Sequence, residues 1–238
     1  MKYTAEQKKD RLRILEIIHE AKASHIGSCL SVVDIIAAIY KAKRPDERMI
    51  LSAGHSAVAL YAVLEREGIL KNPSLSRLNV HPDRDPENGI DVSTGSLGQG
   101  FSIAVGIALS NRSKNVWCVT TDGELAEGSM WEALRIASDQ KLTNLRLFVN
   151  ANKWGAYGPI DTNVLKNRLL VFGWGVIDVD GHNPDRLDEA IAESPLTIPI
   201  LVLARTTVEQ FPFLKGQDAH YYTMKPEDFE SARLELTK

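Results

Sequence analysis

Cysteine is scarce: 238 residues contain two, Cys29 and Cys118, each inside an apolar segment. Neither belongs to a CxxC pair or a Cys/His spacing, which excludes the usual zinc frameworks. Isolated thiols in apolar surroundings read as buried and reduced, with a disulfide the less favoured alternative. An excess of one charge is missing too. Lys and Arg number 28 against 31 Asp and Glu, a net charge of -3, which lacks the basic footprint of a nucleic-acid binder. No apolar run nears the ~20 residues that cross a bilayer. The first residues, MKYTAEQKKDRLRILEII, are charged and amphipathic rather than a secretion signal. A cytoplasmic protein with no nucleic-acid and no membrane partner is expected. What is present is 44% apolar and 25% charged residues, a globular composition. The length can hold one large or two small domains.

The most informative stretch runs from Val116 to Gly155. The apolar run Val116 to Thr120 reads as a buried strand, broken sharply by Thr121-Asp122-Gly123-Glu124. Met130, Ala133, Leu134 and Ala137 share one face of a helix over about Ser129 to Gln140. A second strand, Leu145 to Val149, ends at Asn150-Ala151-Asn152. This is a βαβ pattern, and its parallel strands put Asp122 and Asn152 at the same carboxyl edge of a sheet. Ligands of open α/β sheets bind at that edge. An Asp and an Asn there are hard oxygen ligands suited to Mg²⁺ or Ca²⁺. Gly123 permits close backbone approach, and the N–H groups of its turn can face an anion. A divalent ion tying the protein to a diphosphate is one reading. An ordinary strand-end turn with a capping Asn is the other.

The rest of the chain alternates in the same way. Thr4 and Gln7 form a capping box for a helix to about Ala23. Ser24-His25-Ile26-Gly27-Ser28 reads as a loop before a helix from Ser31 to Tyr40, and His25 could touch a substrate or simply pack. The strand RMILS leads through Ala53-Gly54-His55 into a helix over Ser56 to Glu67; His55 could donate to a phosphate or cap that helix. Residues 71–93 carry Pro73, Pro82 and Pro86 without periodicity, as long functional loops do. Gly95, Gly98 and Gly100 allow close backbone approach before an apolar helix over Phe101 to Leu109. They are not the dinucleotide fingerprint, because no strand directly precedes them. A helix capped at Asp161-Thr162, a strand Val176 to Val179, a helix Leu187 to Glu193, a strand Pro199 to Ala204 and a helix Pro226 to Leu236 complete the pattern. His19 and His182 read as structural. The fold class is α/β, a mostly parallel sheet with helices on both faces.

Asp122-Gly123 followed by Asn152 resembles the thiamine diphosphate motif, usually GDG and, about thirty residues on, NN. The wording DGELAEGSMWEAL around it resembles transketolases. So do SHIGS (for the family's SGHPG), ILSAGHSAVALYAVLEREGIL, HPD at His81 and TGSLGQGFSIAVGIA. Thr121 replaces the first motif glycine, and Asn150, with Ala151 between, replaces the first Asn. The resemblance implies that His25, His55 and His81 serve catalysis, with Glu127 at a subunit interface linking two active sites. It places His55, Gly95, Ser96, Leu97, Gly123, Glu124, Asn152 and His220 at the cofactor. The Gly95 carbonyl would receive the 4′-amino group, with Leu97 near the ring. Metal ligands would be Asp122, Asn152 and the backbone carbonyl of Trp154. Arg205 to Gln210 departs from the family's TxKGxG, and Tyr221 follows His220 where relatives often have Gly.

The resemblance further implies a single diphosphate-binding domain over 1–238 with the thiamine diphosphate-binding fold. Its cofactors would be thiamine diphosphate and Mg²⁺ (or Ca²⁺). The chain would be the N-terminal subunit of a split transketolase, working with a separate C-terminal subunit that carries the pyrimidine-binding domain, as an α₂β₂ assembly. It would move a two-carbon ketol unit between sugar substrates, from a ketose to an aldose. A 1-deoxyxylulose-5-phosphate synthase-like subunit, a specialised sugar transketolase subunit and a non-enzymatic paralogue acting as scaffold or regulator are the alternatives.

Overall fold

The computed structural model describes residues 2–193 and 197–238. Helix α1 (Ala5–Ala21) starts at the anticipated capping box: Thr4 Oγ1 accepts from Gln7 N–H, and the Gln7 side chain accepts from Thr4 N–H. Helix α2 (Ile26–Ala42) begins five residues before the expected Ser31. The supposed loop Ser24 to Ser28 is therefore mostly its first turn. Ile26, Gly27 and Ser28 are buried, so burial on all sides replaced the one-faced pattern that marks a helix in sequence. Gly27 serves packing rather than a turn: a Cβ there would stand 2.7 Å from Ala219 Cβ.

Strand β1 (Arg48–Leu51) is followed by a short 3₁₀ turn over Gly54–Ser56 and α3 (Ala57–Arg66). After the irregular segment come α4 (Gln99–Ser110), β2 (Val116–Thr121), α5 (Gly128–Asp139) and β3 (Leu145–Ala151). A small antiparallel hairpin then forms from β4 (Trp154–Gly155) and β5 (Gly158–Pro159); two residues per strand give no readable alternation. Asp161 Oδ1 accepts from Asn163 and Val164 N–H to cap α6 (Thr162–Val171). The chain closes with β6 (Gly175–Asp180), α7 (Pro184–Ala192), β7 (Ile200–Arg205) and α8 (Pro226–Leu236). Helix α7 starts three residues before the expected Leu187, because Asn183 caps it and Pro184 occupies its first position.

Five strands form one sheet in the order β1-β2-β3-β7-β6, and every pairing is parallel. Alternate residues feed opposite faces. Trp117, Val119, Phe148, Val202 and Ala204 pack with α1, α2, α3, α7 and α8. Cys118, Leu145, Leu147, Val149, Leu201 and Leu203 pack with α4, α5 and α6. The helices thus lie on both faces, as expected, and both cysteines are free and buried. No helix among the described residues is long and apolar enough to cross a membrane.

Candidate functional site

Strands β2 and β3 run in register, Thr121 opposite Asn150, so both release their next residues at one edge. Asp122 N–H donates to the Asn150 carbonyl at 3.1 Å. Its Oδ2 accepts from Lys153 N–H at 2.7 Å and its Oδ1 from Gly123 N–H at 3.0 Å. Asn152 Oδ1 accepts from Trp154 N–H at 3.0 Å. Asp122 and Asn152 therefore meet on one rim, each 2% exposed. Burial pushes the Asp122 carboxyl up to about 7, against the opposing pull of the backbone N–H groups. Those donors carry no net charge, so the buried carboxylate calls for a cation or a proton.

Above this turn opens a cavity. Thr121, Gly123 and Asn152 line its floor, with Asp122 recessed between the first two. Gly95 and Leu97 form one wall, Trp154 and the hairpin residues Gly155 and Ala156 another, and His25, His55, His81, His220 and Tyr221 complete it. The glycine loop is tightly built. Gly95 has φ +147, and a Cβ there would stand 2.9 Å from the His81 ring. A Cβ on Gly54 would stand 2.6 Å from Gly95 N, which lets His55 and the loop share one wall.

The imidazoles form a close group. Ring centroids of His25 and His55 lie 5.7 Å apart, and those of His25 and His81 6.2 Å. His25 caps α2 in the left-handed region, φ +69. Its N–H donates to the His220 carbonyl at 2.8 Å, and its Nδ1 shares a 2.9 Å hydrogen bond with Ser24 Oγ. Burial, reinforced by the neighbouring rings, lowers His55 to about 3 and His220 to about 4, and lowers His25 as well. Neutral imidazoles each offer one donor and one acceptor. His220 Nδ1 is bonded to Ser28 Oγ, whereas its Nε2 is buried without a partner. That atom is suited to an anionic oxygen.

The residues present fit a metal-bound diphosphate. Asp122, Asn152 and a main-chain carbonyl make an oxygen donor set for a hard ion; the Trp154 carbonyl lies 3.4 Å from where a Gly123 Cβ would be. Among the described residues no cluster of three His, Cys, Asp or Glu side chains could hold a metal instead.

Several anticipated residues sit elsewhere. Glu124, expected at the cofactor, is fully buried beneath the cavity. It accepts from Ser52 Oγ (2.8 Å), Thr120 Oγ1 (2.7 Å) and the N–H groups of Gly98 (3.0 Å) and Thr121 (3.4 Å). Its carboxylate thereby locks the glycine loop to β1 and β2. Ser96 is exposed and does not line the cavity. Glu127 borders an adjoining groove with Leu97, Gly123 and the hairpin. Asn150 points inward, bonded to Ser31 Oγ and Thr206 Oγ1, and Asn152 lines the cavity. Sequence reasoning missed Thr121, the hairpin residues and Tyr221 as lining. The Gly155 and Gly158 pair was a signal for the hairpin; Tyr221 had none beyond its departure from the family pattern.

Fold and site together define an α/β protein that holds an anionic cofactor at the carboxyl edge of a parallel sheet. The family model described as "Transketolase, thiamine diphosphate binding domain" matches residues 4–237, and the chain belongs to that family. It is 32% identical to the 6-deoxy-6-sulfo-D-fructose transketolase subunit SqwG of Clostridium sp. (strain MSTE9), over 94% of this chain and 92% of that protein. It is 35% identical to the transketolase of Homo sapiens, over 83% of this chain and 36% of that protein; it thus spans about a third of the length of that relative. The crystal structure of transketolase from Campylobacter jejuni superposes with a TM-score of 0.82 at 25% identity, covering 100% of this chain and 43% of that one.

Proposed function

We propose that this chain is the diphosphate-binding subunit of a two-subunit transketolase, moving a two-carbon ketol unit from a ketose to an aldose. The observation that carries the reading is the meeting of Asp122 and Asn152 under a cavity rimmed by imidazoles. The full-length match to a relative named as a transketolase subunit supports the need for a partner, and we assign that partner the pyrimidine-binding half in an α₂β₂ assembly. Buried, free thiols fit the cytoplasm.

Asp122, Asn152 and the Trp154 carbonyl would hold Mg²⁺, which would offset the diphosphate charge at the floor. His220 Nε2 and His55 would receive diphosphate oxygens, Gly123 would let the diphosphate approach the floor closely, and Gly95 and Leu97 would form the wall for the rings. Thiamine diphosphate, when bound, would supply the nucleophilic carbon for ketol transfer. His25, with the His55 and His81 rings each within 6.2 Å of its own, and those two imidazoles orient substrate hydroxyls and shuttle protons. Glu127, beside that cavity, faces the groove assigned to subunit contact, and Glu124 and Ser96 serve the loop's shape rather than the ligand.

Calorimetry tests the reading. With Mg²⁺ present the chain should bind thiamine diphosphate, and Asp122→Ala should weaken binding at least roughly tenfold, since a carboxylate ligand of a hard ion is lost. Unchanged affinity in that variant would falsify the metal assignment. Ketol transfer should appear only when a pyrimidine-binding subunit is added.

A further inference from the structure

Tyr221 follows the 3₁₀ turn Gly216–His220, and it is 59% exposed. It nevertheless lines the same cavity as His25 and His81. Its ring centroid stands 6.4 Å from that of His25, tilted by 59°. The residue is held in place by its backbone rather than by burial. Its N–H donates to the Asp218 carbonyl at 2.9 Å, and the preceding carbonyl accepts from His25 N–H at 2.8 Å. The turn itself is tied on two more sides. Gln217 Nε2 donates to the Ala156 carbonyl at 2.7 Å, and Gly216 N–H donates to Glu209 Oε1 at 2.8 Å. A large aromatic ring mostly in water stabilises a core little. Here it is fixed at a mouth whose lining contains no Lys, Arg, Asp or Glu.

We propose that Tyr221 is a specificity-determining residue, the wall against which the uncharged, hydroxylated carbon chain of a sugar lies beyond its reacting end. The proposal rests on the ketol-transfer reading above. A phenol ring offers an apolar face to the C–H side of a polyol and one O–H that can give or take a hydrogen bond with a hydroxyl. The His25 imidazole, its ring centroid 6.4 Å away, meets the polar end. A donor with a longer polyol tail has more carbon chain to lay against the ring than a short one. The ring therefore acts on the selection between long and short substrates, through transition-state binding of the tail.

The test compares a long-chain ketose donor with hydroxypyruvate, a short donor that lacks the polyol tail, using the chain reconstituted with its pyrimidine-binding partner. Tyr221→Gly should lower the ratio of kcat/KM for the long donor over the short one by roughly tenfold, the scale of one lost pocket contact. Tyr221→Phe, which keeps the ring, should hold that ratio within about threefold. If Tyr221→Gly depresses both donors by the same factor, or neither, the residue is structural and the proposal fails while the ketol-transfer reading stands. If the unsubstituted complex transfers from neither donor, that reading fails and takes this proposal with it.

Discussion

Arg11 has no exposed surface, yet it is charged and its guanidinium is fully engaged. It donates to both oxygens of Asp34, at 2.9 and 2.5 Å, and to Gln210 Oε1 at 2.8 Å. His182 Nδ1 adds a 2.8 Å hydrogen bond to Asp34, which gives that histidine the structural role read from its turn. Burial alone would raise the Asp34 carboxyl, but hydrogen bonds from Arg11 and His182 outweigh it and hold the group below its ordinary value. A depressed carboxyl adds stability above its unfolded value of about 3.9, and that stability drains as pH falls through the lower folded value. Asp34→Ala should cost roughly 3–5 kcal/mol by urea unfolding, because it strands a buried guanidinium. The cavity histidines work in a higher window. His55 and His220 have folded values near 3 and 4, below the ~6.5 of the unfolded chain, so the unfolded state binds more protons in between. Stability should fall as the pH drops below about 6.5. A His55→Gln/His220→Gln variant should lose less between pH 7 and pH 5, by about 2 kcal/mol per histidine in unfolding free energy measured with urea.

At the scale of elements, the start of α2 joins fold to site. Gly27 lets that helix approach the turn bearing His220, with Ala219 Cβ and carbonyl oxygen 2.7 and 3.0 Å from a would-be Cβ. Gly27→Ala should cost about 1–3 kcal/mol as overpacking. It should also weaken thiamine diphosphate binding in calorimetry, because His220 must move with the turn. The early start of α2 was not legible in the sequence, since its first turn is buried on every side and carries Gly and Ser. Helix α8 was read to the residue from Pro226 to Leu236, and the capping box of α1 was visible as Thr4 and Gln7. Both signals are local, made within one turn of chain. The rim pair Asp122 and Asn152 was legible for another reason: parallel pairing fixes which edge a strand's last residue reaches. The direction of Glu124 was not, because its acceptors' partners, Ser52 and Gly98, come from other parts of the chain. The β4–β5 hairpin is too short for any periodicity to show.

At the scale of the molecule, the two apolar clusters grip one sheet from both sides, while the cavity draws on segments spread from His25 to Tyr221. Residues from the start of α2, the turn after β1, the glycine loop, the β2 and β3 rims and the turn before α8 all contribute. Such a site tolerates little shear between layers, and stability and cofactor affinity should therefore move together in variants of the core. Leu203→Ala, on the β7 face toward α4 to α6, should cost about 2–5 kcal/mol. It should weaken calorimetric binding of thiamine diphosphate as well, although Leu203 lies outside the cavity lining.

The hydrogen bond from His25 N–H to the His220 carbonyl also bears on the order of events during translation. Residue 25 leaves the ribosome long before residue 220 is made, so a nascent polypeptide cannot hold the imidazole cluster in its final arrangement. An imidazole cluster in this arrangement thus waits on the synthesis of residue 220, and a message truncated ahead of Gly216 should yield a product that fails to bind thiamine diphosphate in calorimetry.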